Sequence, residues 1–355
     1  MKELKLLLLT NNINQIGGLE RVIAILSNYF AEKENQKITI LSLYTKRNCL
    51  AFDFSNKVEI VHGNLNLKDD IKPYLRDTLS SNTHNIIFTF NTDLGLEFLR
   101  IRKHFPELIW IATEHISPFD YTWKRRALNL LVYAGADRLI VLTEYARKYY
   151  RNRFIYHTHT IPNALSFITD KKSDVLLHKR IIAIGRIEKV KCFDLLIEAF
   201  SLIAQKNADW KLELVGDGSQ KTILQENVLE LGLEDQIYFS GYRKDVKELC
   251  LEASFCVITS KYEGFSMIAL EALECGLPLI SFDLPSIKEI VGDYKAALFV
   301  PQGKIDELAQ KMQWLMDNPE ELQYMANEAK KCAKNYHISK IGKKWDDLLD
   351  ELNCY

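Results

Sequence analysis

Arg180-Ile181-Ile182-Ala183-Ile184-Gly185-Arg186-Ile187-Glu188-Lys189-Val190-Lys191 opens the second half of the chain. Residues 180–184 form a short apolar run closed by a glycine, which reads as a parallel strand covered on both faces. Phe193–Ala204 follows with apolar residues at helical spacing, so the stretch is a βα unit. The same alternation runs outward from it. Strands are expected at Lys211–Val215, Ile237–Phe239, Phe255–Ile258 and Leu279–Phe282, separated by helices at Ser219–Leu231, Asp245–Glu252 and Met267–Glu274. Upstream, Lys5–Leu9 and Ile38–Leu43 read as strands around a helix at Glu20–Phe30, and Asn85–Phe90, Leu108–Ala112 and Asp137–Leu142 are further strand-like runs. This is βαβ winding, and the expected class is α/β with doubly wound, Rossmann-like parallel sheets.

The 355 residues exceed twice the ~150-residue domain prior, which points to two such domains. A break falls at Thr158–Ser173, with a turn signal at Ile161-Pro162-Asn163 and the polar segment Thr169-Asp170-Lys171-Lys172-Ser173. The expected domains are 1–165 and 166–335. The tail from Ile305 reads as helical, with Leu308, Met312, Leu315 and Met316 on one side, and 336–355 is a last helix expected to pack back toward the N-terminal domain.

Composition removes several classes. Lys+Arg total 46 and Asp+Glu 47, a net charge of −1, which lacks the basic excess of a nucleic-acid binder. With 47% hydrophobic residues the chain can bury enough surface to fold. Cys49, Cys192, Cys250, Cys256, Cys275, Cys332 and Cys354 form no Cys-x-x-Cys pair, so neither a metal site nor a disulfide framework is expected, and reduced thiols are the simpler account. The longest early apolar run, Leu6–Leu9, is far short of a signal-peptide core or a membrane span, which implies a chain that is soluble or lies on a membrane. The neutrality is a cancellation. Residues 1–170 hold 22 Lys+Arg and 17 Asp+Glu, leaving 24 and 30 in residues 171–355.

In open α/β sheets ligands bind beyond the carboxyl ends of the strands, so the residues just after each strand carry the functional reading. Gly17-Gly18-Leu19-Glu20 lies between the first strand and its helix and fits either an anion at a helix start or a plain tight turn. Gly185-Arg186 with Lys191 sets a rigid fork and a point charge on a sheet edge, suited to a diphosphate or to solvent. Val215-Gly216-Asp217-Gly218 is a close-approach loop or an ordinary turn. Glu263-Gly264-Phe265-Ser266-Met267-Ile268-Ala269-Leu270-Glu271 is the sharpest stretch. Its amides from Gly264 to Met267 would open a helix, Glu271 one turn inside could accept two ribose hydroxyls, and Glu263 would stay in the loop.

Gly185-Arg186 with Lys191, the Val215–Gly218 loop, Ser240-Gly241-Tyr242 and the Glu263/Glu271 pair occur in order, one per strand end. Together with Glu271-Ala272-Leu273-Glu274-Cys275-Gly276-Leu277-Pro278 they resemble the family 4 glycosyltransferases, retaining enzymes of the GT-B fold, and most of all bacterial enzymes of lipopolysaccharide, capsule or lipid-linked glycan synthesis. The resemblance implies two Rossmann-like domains with an interdomain cleft and C-terminal helices. It implies that Arg186 and Lys191 hold the donor diphosphate, that Glu271 binds ribose, that the Phe265, Ser266, Met267 and Ile268 amides bind phosphate, and that Glu263 and His115 face the transferred sugar. Gly17, Gly18, Gly185, Gly216, Tyr242 and Gly264 would complete the donor site. The implied reaction moves a hexose or N-acetylhexosamine from a nucleotide sugar, UDP preferred, to a glycan or lipid-linked acceptor. No Asp-x-Asp occurs, so no metal or other cofactor is expected.

Two departures stand out: Cys192 holds a position usually glycine, and Leu284–Ile290 lacks the family's Gly-Pro. The basic, aromatic-flanked stretches with Lys124, Arg125 and Arg126, and with Arg147, Lys148 and Arg151, are solvated helix faces or contacts to an anionic membrane, which would set the protein at the cytoplasmic inner face. Two other readings compete. A GT-B scaffold without activity would keep the same motifs, whereas a nicotinamide-dependent oxidoreductase lacks its glycine fingerprint in Leu6–Glu20.

Overall fold

A computed structural model describes residues 3–44, 50–66, 68–81 and 84–353. The chain first lays down β1 (Leu4–Thr10), α1 (Gly18–Ala31), β2 (Gln36–Ser42), β3 (Val58–His62), α2 (Ile71–Ser81), β4 (Ile86–Thr89), α3 (Thr92–Ile101), β5 (Ile109–Glu114), α4 (Trp123–Ala134), β6 (Arg138–Val141), α5 (Glu144–Arg151) and β7 (Thr158–Thr160). Then come β8 (Arg180–Ile184), α6 (Phe193–Ala204), β9 (Lys211–Val215), α7 (Lys221–Glu230), β10 (Ile237–Gly241), α8 (Val246–Leu251), β11 (Phe255–Ile258), α9 (Met267–Glu274), β12 (Leu279–Phe282), α10 (Pro285–Val291), β13 (Ala297–Val300), α11 (Ile305–Asp317) and α12 (Pro319–Ala333). The last element is α13 (Ile338–Asn353). Two units result, one of Met1–Ser166 with Ile338–Tyr355 and one of Phe167–His337.

Both sheets are parallel. The first unit has the order β3-β2-β1-β4-β5-β6-β7 and the second β10-β9-β8-β11-β12-β13. Each order reverses beside its first strand, which puts a switch point between β1 and β4 and another between β8 and β11. Leu6, Leu7, Leu8 and Leu9 are each no more than 1% exposed, as helices on both faces of a parallel strand require.

Within the second unit, 180–184, 193–204, 211–215, 255–258, 267–274 and 279–282 take the expected element and bounds. The misses are edge strands. Val58–His62 is buried only at its first residue, so its apolar signal is diluted by Glu59 and His62. Thr158–Thr160 falls in the segment read as a break, yet it pairs with β6 and closes the sheet. β10 runs two residues past the expected end, with a register shift between Phe239 and Gly241.

The terminal helix belongs to the first unit. Its Trp345 ring meets Phe30 edge-on with centroids 6.1 Å apart and lies 5.8 Å from Phe88. Asp346 accepts from Tyr29 Oη at 2.6 Å and Lys33 Nζ at 2.7 Å. Gly342 permits this docking, because a Cβ there would come 2.2 Å from Tyr29 Cζ. Among the described residues, no helix is long and apolar enough to cross a membrane.

Candidate functional site

The second unit gathers most of the expected residues around the β8/β11 switch point. After β8, Gly185 N donates to Val215 O and Ile187 N to Asp217 O, both at 2.9 Å, so loop 185–187 hangs on loop 215–217. Gly216, at φ +144°, has no room for a side chain: a Cβ would lie 1.9 Å from Gly185 O. Its glycine is thereby accounted for by loop-on-loop packing. The Glu188 carboxylate adds to this seam, accepting from Ser219 Oγ at 2.6 Å and Ser219 N at 3.0 Å, and these bonds hold it below the usual carboxylate range.

A short 3₁₀ turn, Lys189–Lys191, ends at Cys192, whose φ of 48° is left-handed, directly before α6. Lys191 Nζ donates to Glu263 Oε1 at 2.5 Å, and Ser260 Oγ donates to the same oxygen at 2.8 Å. Thr259 Oγ1 donates to Lys191 O at 2.8 Å, and Lys261 N to Val190 O at 2.7 Å. The loops after β8 and β11 are therefore stitched together, with the Lys191 and Glu263 side chains only 19% and 14% exposed. The Lys191 stem runs over Gly185, where a Cβ would come 3.2 Å from Cε. Arg186 differs: it is exposed and, among the described residues, has no ion-pair partner.

At the start of α9, Ser266 caps the helix by accepting from Ala269 N at 3.4 Å, while Ser286 Oγ donates to Glu263 O at 2.9 Å. Phe265 is buried with its ring centroid 6.0 Å from that of Tyr336. Gly264, Met267 and Ile268 are half-buried, and Glu271 is 2% exposed. Tyr242, after β10, is exposed. A neighbour of this site went unread in the sequence. Glu274 is fully buried and accepts from Lys330 Nζ at 2.8 Å, Thr169 N at 2.9 Å and His337 Nε2 at 3.1 Å. The available signal was its place one turn after Glu271, on the helix face that already carries a carboxylate.

In the first unit, Gly17 and Gly18 begin α1. Gly17 is the cap, in extended backbone, and Glu20 folds back over it: a Cβ on Gly17 would come 2.3 Å from Glu20 Oε2. The helix start is thus already occupied by a carboxylate, which burial pushes up in pKa. His115, just past β5, is brought to Thr113 and Phe90. Its Nε2 is 3.0 Å from Thr113 Oγ1, its ring centroid is 5.9 Å from Phe90, and burial pushes its pKa down to about 4. With Thr113, Asn163 and Trp345 it lines a cavity of about 10 Å³. Behind it the buried Glu114 accepts from Tyr133 Oη at 2.7 Å, Ile116 N at 2.9 Å, Tyr121 Oη at 3.1 Å and Asn129 Nδ2 at 3.3 Å.

The basic stretches are partly spent inside the fold. Arg125 pairs with Asp93 at 2.6 Å, Arg126 donates to Phe119 O at 2.6 Å, and Arg147 pairs with Glu144 at 3.1 Å. Lys124, Lys148 and Arg151 are exposed, and Lys124 lies 5.7 Å from the ring of Trp123, which is 74% exposed. Cys192, Cys250, Cys256, Cys275 and Cys332 are free thiols, and Cys49 and Cys354 lie outside the described residues. Among the described residues, no group of three His, Cys, Asp or Glu side chains could hold a metal ion.

Residues 169–332, nearly all of the second unit, match the family model described as Glycosyl transferases group 1. An uncharacterized glycosyltransferase of Haemophilus influenzae is 26% identical over 355 residues, covering 95% of this chain and 98% of the relative. The amylovoran biosynthesis glycosyltransferase AmsD of Erwinia amylovora is 26% identical over 357 residues, covering 98% and 99%. Among solved structures, Anabaena Alr3699/HepE in complex with UDP superposes with a TM-score of 0.80 at 16% identity, over 98% of this chain and all of that one. The two parallel-sheet units with C-terminal helices are the GT-B architecture. These findings support a glycosyltransferase.

Proposed function

We propose that this chain is a retaining, family 4 type glycosyltransferase that moves a hexose or N-acetylhexosamine from a UDP-sugar to a glycan or lipid-linked acceptor during cell-surface polysaccharide synthesis. The observation that carries the reading is the Lys191–Glu263 pair at the β8/β11 switch point, one turn of chain from Arg186, which is exposed and among the described residues has no ion-pair partner. A departing diphosphate gains negative charge as the glycosidic bond breaks, and fixed cations at that point stabilise it without reorganising. Arg186 and Lys191 take that role, in place of a divalent metal ion. Releasing Lys191 to phosphate leaves Glu263 with Ser260 and free to meet the sugar. Glu271 takes the ribose hydroxyls, and the amides of Phe265, Ser266, Met267 and Ile268 take phosphate, with Gly185, Gly216, Tyr242 and Gly264 around them. From the first unit, His115 meets a sugar hydroxyl, while Gly17 and Gly18 accept a phosphate once Glu20 swings away. UDP is favoured because the Anabaena neighbour holds UDP. Synthesis of a surface polysaccharide is favoured because a full-length relative is an amylovoran biosynthesis enzyme.

The acceptor side sits at the inner face of the cytoplasmic membrane, held by Trp123 with Lys124, and by Lys148 and Arg151 near Phe154 and Tyr156, which are 80% and 61% exposed. The test is nucleotide release from a panel of UDP- and GDP-sugars, with and without lipid-linked and soluble glycan acceptors, in the presence of EDTA. Sugar transfer from a UDP-sugar with an α product is expected. Release that depends on added divalent metal contradicts the metal-independent part, and a β product contradicts retention.

A further inference from the structure

The side chains around His115 fix which of its ring nitrogens carries the proton. Thr113, the penultimate residue of β5, is 2% exposed, and its hydroxyl has one hydrogen to give. Oγ1 lies 3.2 Å from Thr89 O, a backbone carbonyl of β4 that can only accept, and 3.0 Å from His115 Nε2. Both contacts are satisfied only if the threonine donates to the carbonyl and accepts from the ring, so Nε2 bears hydrogen. The opposite assignment turns two oxygen lone pairs toward each other across 3.2 Å in the buried interior. Trp110 Nε1 holds Thr89 in turn, donating to its Oγ1 at 2.9 Å, so β4, β5 and the ring form one hydrogen-bonded chain.

We infer that Thr113 is a positioning residue that locks His115 as the Nε2–H tautomer, leaving Nδ1 as a hydrogen-bond acceptor reserved for a hydroxyl of the sugar substrate. Burial keeps the ring neutral, so a second ring proton is not available. Among the described residues nothing hydrogen-bonds Nδ1. A lone pair at that position accepts from a hydroxyl and repels phosphate or carboxylate oxygens, which have no proton to offer. His115 is then a selector of hydroxyl groups and takes no part in neutralising the leaving diphosphate. The functional half of this inference rests on the proposed sugar transfer; the tautomer does not.

The test separates the two. Long-range ¹H–¹⁵N correlation spectra of the full chain, with ¹⁵N-histidine and the His115 signals assigned by their loss in His115→Asn, report the tautomer directly among the eight histidines. The expected result is a protonated Nε2 and an unprotonated Nδ1 in the wild type and in Thr113→Ser, with the Nδ1–H form appearing in Thr113→Val. Alongside, Thr113→Val should lower kcat/KM for sugar transfer by about tenfold or more, the worth of one hydrogen bond, and Thr113→Ser should restore it. UDP affinity should be unchanged in both. A wild-type spectrum with Nδ1–H, or a Val variant with the wild-type tautomer, overturns the inference. The locked tautomer in a wild type that transfers no sugar instead sinks the glycosyltransferase reading and with it the selector role.

Discussion

Lys191 and Glu263 hold each other at 2.5 Å in largely buried positions, so neither can be altered without effect on the other. Lys191→Ala is expected to cut turnover by orders of magnitude and to lower stability by about 1–3 kcal/mol, since among the described residues the Glu263 carboxylate then keeps the Ser260 bond alone. Arg186→Ala, at an exposed side chain, should lose turnover with the melting temperature unchanged. Steady-state kinetics with thermal unfolding separates the two patterns, and unchanged turnover in both removes the phosphate role. Cys192 works against the loop it occupies: at φ 48° its side chain is strained, and Cys192→Gly should stabilise the protein by about 1 kcal/mol in denaturant titrations. His115 ties residue chemistry to pH. Its folded pKa of about 4 lies below the ~6.5 of an unfolded histidine, so the unfolded chain binds the extra proton and stability falls as pH drops from about 6.5 to 4. Glu20 and Glu114, raised by burial, oppose this trend, so the check is the stability of the wild type minus that of His115→Asn, which should fall as pH drops across that window.

At the scale of elements, α9 carries both the candidate ribose acid and the buried node at Glu274, which joins Lys330 of α12 to Thr169 and His337 near the two ends of the second unit. The pairing holds the Glu274 carboxyl below its usual range despite burial. Removing one partner of such a pair strands the other, so Glu274→Ala should cost about 3–5 kcal/mol in the second unit, measured by chemical unfolding. Of the two basic stretches proposed to meet a membrane, α4 divides by side chain. Trp123→Ala with Lys124→Ala should reduce sedimentation with anionic liposomes, while Arg125→Ala, which breaks the Asp93 pair, should leave sedimentation nearly unchanged. Equal effects of both would count against a membrane face. Central strands were legible from the sequence because burial on both faces leaves an unbroken apolar run, as in Arg180–Ile184 and Phe255–Ile258. The edge strands Val58–His62 and Thr158–Thr160 were not, because a half-exposed edge needs no such run. The polar residues following β8 and β11 were legible by position. Their pairing was not, since Lys191 and Glu263 are 72 residues apart and meet only through the sheet order.

Over the whole chain, near-neutrality hides a basic first half and an acidic second half, yet the structure spends several of the first half's cations on Asp93, Glu144 and a backbone carbonyl. The field available to a membrane is therefore weaker than the net charge of the first half implies, and the exposed aromatic residues carry more of that proposal than the arginines do. The second unit, matched over residues 169–332 and built on the strand order 3-2-1-4-5-6, carries the nucleotide-sugar reading. In the proposed reading the first unit supplies His115 for the transferred sugar and, through the exposed Trp123 ring of α4, the side that meets the acceptor. Arg186 and Lys191 are proposed to serve a departing nucleoside diphosphate. UDP release from UDP-sugars by the wild type and by Arg186→Ala and Lys191→Ala, in metal-free buffer with a glycan acceptor present, measures that role. Release by the wild type and a loss of orders of magnitude in both variants are expected; equal release by all three proteins, or none from any nucleotide sugar, would overturn it.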